Sequence, residues 1–189
     1  MKKQLRWIII VLVILAIIFI PAIGSYNSLV SLDQQVKSSE SDIDTQLQRR
    51  SDLIPNLVET VKGYASQEKE IFTNIATARS NLAGAQNITQ TANADTALSS
   101  ALSRLLVIVE NYPELKSNQN YRDLTVALEG TENRISIARQ NYNKKVDAYN
   151  TKIRRFPTTI IAGMFGFREQ PYYKASEGSK EVPKVDFTK

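Results

Sequence analysis

Glu129 and Glu132 stand three residues apart, the spacing at which a helix presents two carboxylates on one face. Four-helix bundles often house di-iron sites built from glutamates and Glu-x-x-His pairs with that same spacing. The chain contains no histidine and no cysteine. Di-metal sites of that kind, zinc ribbons, thiol nucleophiles, disulfides, haem attachment and Ser-His-Asp triads therefore each lack an essential member. Asp42 and Asp44 spell D-x-D, but two positions apart on a helix they diverge by about 200° and do not share a metal. A Ser-Lys dyad carries no information where both residues are abundant. There is neither a glycine-rich phosphate loop nor a dinucleotide fingerprint. The expectation is a protein that is not an enzyme and uses no cofactor or metal.

What remains is polar groups set among apolar ones. Tyr142-Asn143 and Tyr149-Asn150 repeat seven residues apart, so both tyrosines share a helix face, and Tyr26-Asn27 echoes them. Buried tyrosines bring large apolar area and a hydroxyl that needs a partner, which favours packing over ligand binding. Arg49, Arg50, Glu59, Glu132 and Arg139 are candidates for ion pairs that link helices. With Pro55, Tyr142 and Tyr149 they form the set of structural or interaction residues.

The elements that position these residues are helices. Leu29, Leu32, Val36, Ile43 and Leu47 make a first stripe, with Arg49 and Arg50 in its last turn, favourable against the helix dipole. Ser51 or Asp52 can cap a second helix holding Pro55 in its first turn, with a stripe from Ile54 to Leu82. Heptad phase persists across Pro55, so one kinked helix is the alternative; the break is preferred. Residues 84–100 are polar and small and read as a connection in which a third helix begins. Asn87-Ile88-Thr89 fits a glycosylation sequon and is given no role. Leu98 to Val109 form the third stripe. A fourth, longest helix runs from about Asn118 to Phe156 and is stopped by Pro157. Stripes of this kind must be buried against one another, which predicts an antiparallel, up-and-down four-helix bundle.

The N-terminus differs. Trp7 to Gly24 is an uncharged run of 18 residues, apolar throughout from Trp7 to Ile20. As a helix it spans about 27 Å, close to a hydrocarbon core. Trp7, Ile8, Ile14 and Ile20 mark this transmembrane anchor, with Trp7 at the interface. A cleaved signal peptide is the rival, because Ala22-Ile23-Gly24 would suit a peptidase; the length of the run favours an anchor that is kept. Lys2, Lys3 and Arg6 precede it, which places the N-terminus in the cytoplasm and the bundle outside a single-pass cell membrane protein. Of 24 basic residues, those three leave 21 against 19 acidic ones. The net charge of +5 thus reflects a targeting segment more than a nucleic-acid surface, and no nucleic acid is expected as a partner. The organisation is therefore 1–24 as basic segment and anchor, 25–157 as bundle, and 158–189 as tail. That tail opens on a short apolar patch (Ile160, Ile161, Met164, Phe165, Phe167), expected to pack on the bundle rather than on the membrane surface. It then becomes polar, extended or disordered.

Three stretches, SDIDTQLQRRSDLIPNLVETVKGYASQE (41–68), YPELKSNQNY (112–121) and TENRISIARQNYNKKVDAYN (131–150), resemble the LemA family of bacterial membrane proteins. Ala78-Arg79, Phe156-Pro157 and Gly166-Phe167 also fit. The resemblance implies an N-terminal transmembrane helix followed by a bundle of long helices, and it brings no catalytic residues. Family members often carry Trp where this chain has Glu40, and an aromatic where it has Ser51, so their binding surfaces need not coincide. The leading expectation is a membrane-anchored scaffold or interaction protein of the cell envelope. It would contact the lipid bilayer through the N-terminal helix and an unidentified envelope protein through the bundle. The alternative is an envelope sensor, or an accessory subunit regulating a membrane protease or transporter.

Overall fold

A computed structural model describes residues 2–174 of the chain. The side chains at positions 2, 3, 5, 11, 14, 16 and 18 lie outside that description, and so do Lys2, Lys3 and Ile14 of the segment singled out above. The polar tail beyond residue 174 lies outside it as well. The described residues are helical, with no strand among them. The helices are α1 (Lys2–Lys62), α2 (Lys69–Ala83), α3 (Ile88–Val109), α4 (Pro113–Ser117), α5 (Gln119–Arg154) and α6 (Thr158–Phe165).

Two expectations are corrected. The break before Pro55 does not occur, because α1 runs unbroken to Lys62, and the stripe expected to run as one helix from Ile54 to Leu82 is instead divided at residues 63–68, beyond which α2 begins at Lys69. A proline inside a helix lacks the N–H that would bond the carbonyl four residues back, here that of Ser51. Arg79 of α2 supplies the missing donor: its Nε donates to the Ser51 carbonyl at 3.2 Å and to Ser51 Oγ at 3.0 Å. A tertiary contact thus removes the reason to end the helix. Residues 84–100, read as a connection in which a third helix begins, do contain that start, and most of them are helix, since α3 begins at Ile88. Asn87 is its N-cap, accepting from the Gln90 amide at 3.0 Å, while Gln90 Oε1 accepts from the Gln86 amide at 2.8 Å. This is close to a capping box, and it gives Asn87 a structural role that the sequon reading missed.

The chain divides into two compact units, with α1 and α5 contributing to both. The first comprises residues up to Ser41 and Asn141–Gln170. In it, Lys145 reaches Gln35 at 3.0 Å, Tyr142 lies near Glu40, and Tyr149 lies near Asp33. As α5 numbers rise the α1 numbers fall, so the pairing is antiparallel. Leu29 and Val36 are buried on α1, and Tyr142, Val146, Tyr149 and Ile153 on α5. Past α6 the backbone turns at Gly166, whose φ of +74° suits a residue without Cβ. Asn150 then clasps Gln170 by two bonds of 2.9 Å, its side-chain N–H donating to the Gln170 carbonyl and its oxygen accepting the Gln170 amide. The apolar patch does pack on a helix, for the Tyr26 ring meets Phe165 at 4.8 Å and Phe167 at 5.8 Å. Ile160, Met164 and much of Phe165 remain exposed.

The second unit comprises Asp42–Gln140 and the chain from Pro171. Ile54, Leu57 and Val61 of α1, Ile71, Phe72 and Ile75 of α2, Leu98 and Leu105 of α3, and Tyr121 of α5 share one core. Leu115 of the short α4 plugs the same core. The helical periodicity that lined these residues up in the sequence is what delivers them to a common interior.

Candidate functional site

The polar feature of the second unit is a buried ion cluster built on Asp95. This carboxylate sits on the apolar stripe of α3, between Thr91 and Leu98, and is only 1% exposed. Arg50 of α1, 2% exposed, pairs with Asp95 Oδ1 through Nη2. Arg139 of α5 pairs with Asp95 Oδ2 through its own Nη2. Tyr173, returning from the C-terminal segment, donates its hydroxyl to Oδ2 at 2.5 Å. Arg50 Nη1 also donates to Glu132 Oε2 at 2.6 Å and to Ser99 Oγ at 3.1 Å. Glu132 stands 3.6 Å from Arg139 Nη1, and the Arg139 guanidinium lies over the Tyr173 ring at 5.1 Å.

Two guanidinium groups therefore face two carboxylates, and the cluster is neutral. That balance is what makes burial tolerable, since an unpaired interior charge costs several kcal/mol. Desolvation presses the Arg50 pKa down, the Glu132 carboxylate holds it up, and the neighbouring Arg139 pushes it down again. The guanidinium remains a cation, as arginine does in proteins. Burial raises the Tyr173 phenol, against the opposing pull of Arg139 and Arg50. Asp95 Oδ2 accepts from Arg139 and Tyr173, and Oδ1 is ion-paired with Arg50. The paired charges tie α1, α3, α5 and the C-terminal segment to one another, and the arrangement acts as a structural lock.

Beside the lock is a cavity of about 350 Å³, walled by Leu57, Leu102, Leu106 and Leu128, with Arg50, Ser99 and Glu132 at its polar end and Glu129 on its lining. The apolar walls with a few convergent polar groups have the form of a small-molecule site. Among the described residues, no group of three or more carboxylates is placed to hold a metal ion.

Of the residues singled out from the sequence, Arg50, Glu132 and Arg139 are brought together. Arg49 faces solvent, Glu59 pairs with Lys62 on its own helix at 2.8 Å, and Pro55 is exposed. Tyr142 and Tyr149 lie in the core of the other unit. Burial, with the Glu40 charge adding to it, pushes the Tyr142 phenol up to about 12. Burial and then Asp33 raise that of Tyr149. Sequence reasoning missed Asp95 and Tyr173. A signal for Asp95 was present, namely a charge on the stripe that runs Ile88, Thr91, Asp95, Leu98, Leu102. For Tyr173 there was none, because it lies in a polar segment without periodicity.

At the N-terminus, Trp7, Ile8 and Ile20 are more than half exposed. Among the described residues no helix is long and apolar enough to cross a membrane; Val11, Ile14, Ala16 and Ile18 of the apolar run have side chains outside that description.

A family model described as the LemA family matches residues 39–187, which takes in the whole ion cluster but not the N-terminal apolar run. The magnetosome protein MamQ of Magnetospirillum gryphiswaldense is 27% identical over 174 residues, covering 78% of this chain and 64% of that protein. Magnetosome protein MamQ 2 of Paramagnetospirillum magneticum is 25% identical over 178 residues, covering 79% and 64%. Protein LemA of Metamycoplasma hominis is 23% identical over 176 residues, covering 93% and 80%. The chain thus spans 64% of the length of the magnetosome proteins it matches.

Proposed function

The chain belongs to the LemA family, and from that premise we propose that it is a membrane-anchored helical scaffold, or interaction protein, of the bacterial cell envelope. The observation that carries this reading is a division of labour within the molecule. The buried charges of Arg50 and Asp95 in the second unit are paired within a neutral lock, while the start of α1 exposes Trp7, Ile8 and Ile20. Apolar surface of that kind is stable only when covered. The uncharged run from Trp7 to Gly24 in the sequence has the length to be covered by lipid. In this reading Lys2, Lys3 and Arg6 keep the N-terminus cytoplasmic, and the segments of α1, α2, α3 and α5 in the second unit form the up-and-down bundle outside.

Alkaline carbonate extraction of membranes tests the anchor. The full chain stays in the pellet, and a variant with residues 7–20 deleted moves to the supernatant. Recovery of the full chain in the supernatant refutes the reading.

A second reading has its own support in the cavity beside Arg50. A sensor or accessory subunit of a membrane protease or transporter would bind a small ligand there, against Leu102 and Leu106. Thermal shift of the full chain against a metabolite library, repeated with Leu102→Trp to fill the cavity, separates this reading from scaffolding. A shift abolished by the variant supports the sensor, and the absence of any shift argues against it.

A further inference from the structure

The eight residues of α6 carry no charge, and their two faces have different fates. Thr158 and Ala162, four apart, are buried, whereas Ile160 and Met164, also four apart, are exposed. The outer face of α6, with Ile160, Met164 and much of Phe165 open, is contiguous apolar surface that requires a cover. The contacts of its C-terminal end say what that cover is. Phe165 and Phe167 hold Tyr26, which follows the exposed Ile23 by three residues, or about 4.5 Å along α1. The polar zone on each side of a bilayer is about 5–7 Å deep. If the run ending near Gly24 spans the hydrocarbon, Tyr26 and the end of α6 stand at the level of the headgroups. Exposed arginines bracket the helix, Arg155 before it and Arg168 after it, where anionic lipid headgroups attract them.

We propose that α6 is a second membrane contact: an interfacial helix whose Ile160–Met164 face inserts into the headgroup and acyl boundary beside the anchor. Its inner face, Thr158 and Ala162, meanwhile holds the first unit together. The inference rests on the anchor reading above. In this arrangement the anchor fixes distance from the membrane and α6 fixes tilt and rotation, which one helix alone leaves free.

The chain has no cysteine and a single tryptophan, so two independent optical readouts are available in one protein. Full-length I160C and M164C, each labelled with an environment-sensitive fluorophore, are reconstituted in vesicles of phosphatidylethanolamine and phosphatidylglycerol containing nitroxide lipid. Labelled S80C, at an exposed position of α2, is the control. The expected result is blue-shifted emission at both α6 positions, quenched by nitroxide lipid at least about twofold more than at the control. Emission typical of water at both positions overturns the proposal, and so does blue-shifted emission that nitroxide lipid leaves untouched, which means protein covers the face. Quenching of Trp7 in the same samples reports on the anchor alone. Quenched Trp7 with unquenched α6 labels sinks the interfacial helix and leaves the anchor standing, whereas unquenched Trp7 with quenched α6 labels sinks the anchor and with it the placement of α6 beside one.

Discussion

Arg79 Nε and the Ser51 carbonyl oxygen lie 3.2 Å apart, and that bond takes the place of the one Pro55 cannot make. The consequence is measurable by a double-mutant cycle. Arg79→Ala should destabilise the protein by about 1–2 kcal/mol, because it strands a carbonyl that has no helical donor. In the Pro55→Ala background the alanine's own backbone amide serves that carbonyl, and the same Arg79 substitution should cost distinctly less. Urea midpoints of the four proteins give the coupling; independence of the two sites would show that Arg79 does not compensate for the proline.

Asp95 is the member of the ion cluster on which the others depend. Asp95→Asn should cost about 3–5 kcal/mol, since it leaves the buried Arg50, and the partly buried Arg139 beside it, without sufficient counter-charge. Tyr173→Phe removes only one hydrogen bond and should cost about 1–2 kcal/mol. Denaturant unfolding measures both, and equal costs for the two would contradict the central place given to the carboxylate.

Alkali should unfold the protein through its tyrosines. The Tyr142 phenol ionises near 10 in the unfolded chain and at about 12 in the folded one. The unfolded state therefore loses its proton first. The associated stability, on the order of 2 kcal/mol, is complete below pH 10 and disappears as the pH rises towards 12. Tyr149 and Tyr173 shift in the same direction and add to the slope. Tyr142→Phe should flatten the fall in stability across that window, read by circular dichroism at fixed urea, relative to the unsubstituted chain.

Asn87→Ala should cost about 1 kcal/mol and fray the start of α3, whereas Asn87→Asp should be nearly neutral. Amide exchange at Gln90 and Thr91 provides a local measure. Unchanged protection in the alanine variant would remove the capping role.

The helices were legible in the sequence wherever a stripe dictated them. Ile54, Leu57 and Val61 in α1, and Leu98 and Leu105 in α3, entered the core that their spacing implied. Three features were hidden, each for a physical reason. Continuity at Pro55 depends on a donor 28 residues beyond Ser51, which no local rule reveals. The start of α3 is masked by small polar residues, although Asn87 and Gln90 have the spacing of a cap. The site was half visible: Arg50, Glu132 and Arg139 were credible ion-pair formers, but Asp95, the partner of both arginines, looked like any surface acid.

The charge lock has a consequence for how the helices find one another. Leucines are interchangeable, and a stripe of them would accept α5 slid by one turn, about 5.4 Å, along α3 with little loss. Such a slip would carry Arg139 and Glu132 away from their partners and leave buried Asp95 and Arg50 with only each other. The cluster thus acts as a key cut for one alignment, rejecting neighbouring packings that an oily interface by itself would tolerate.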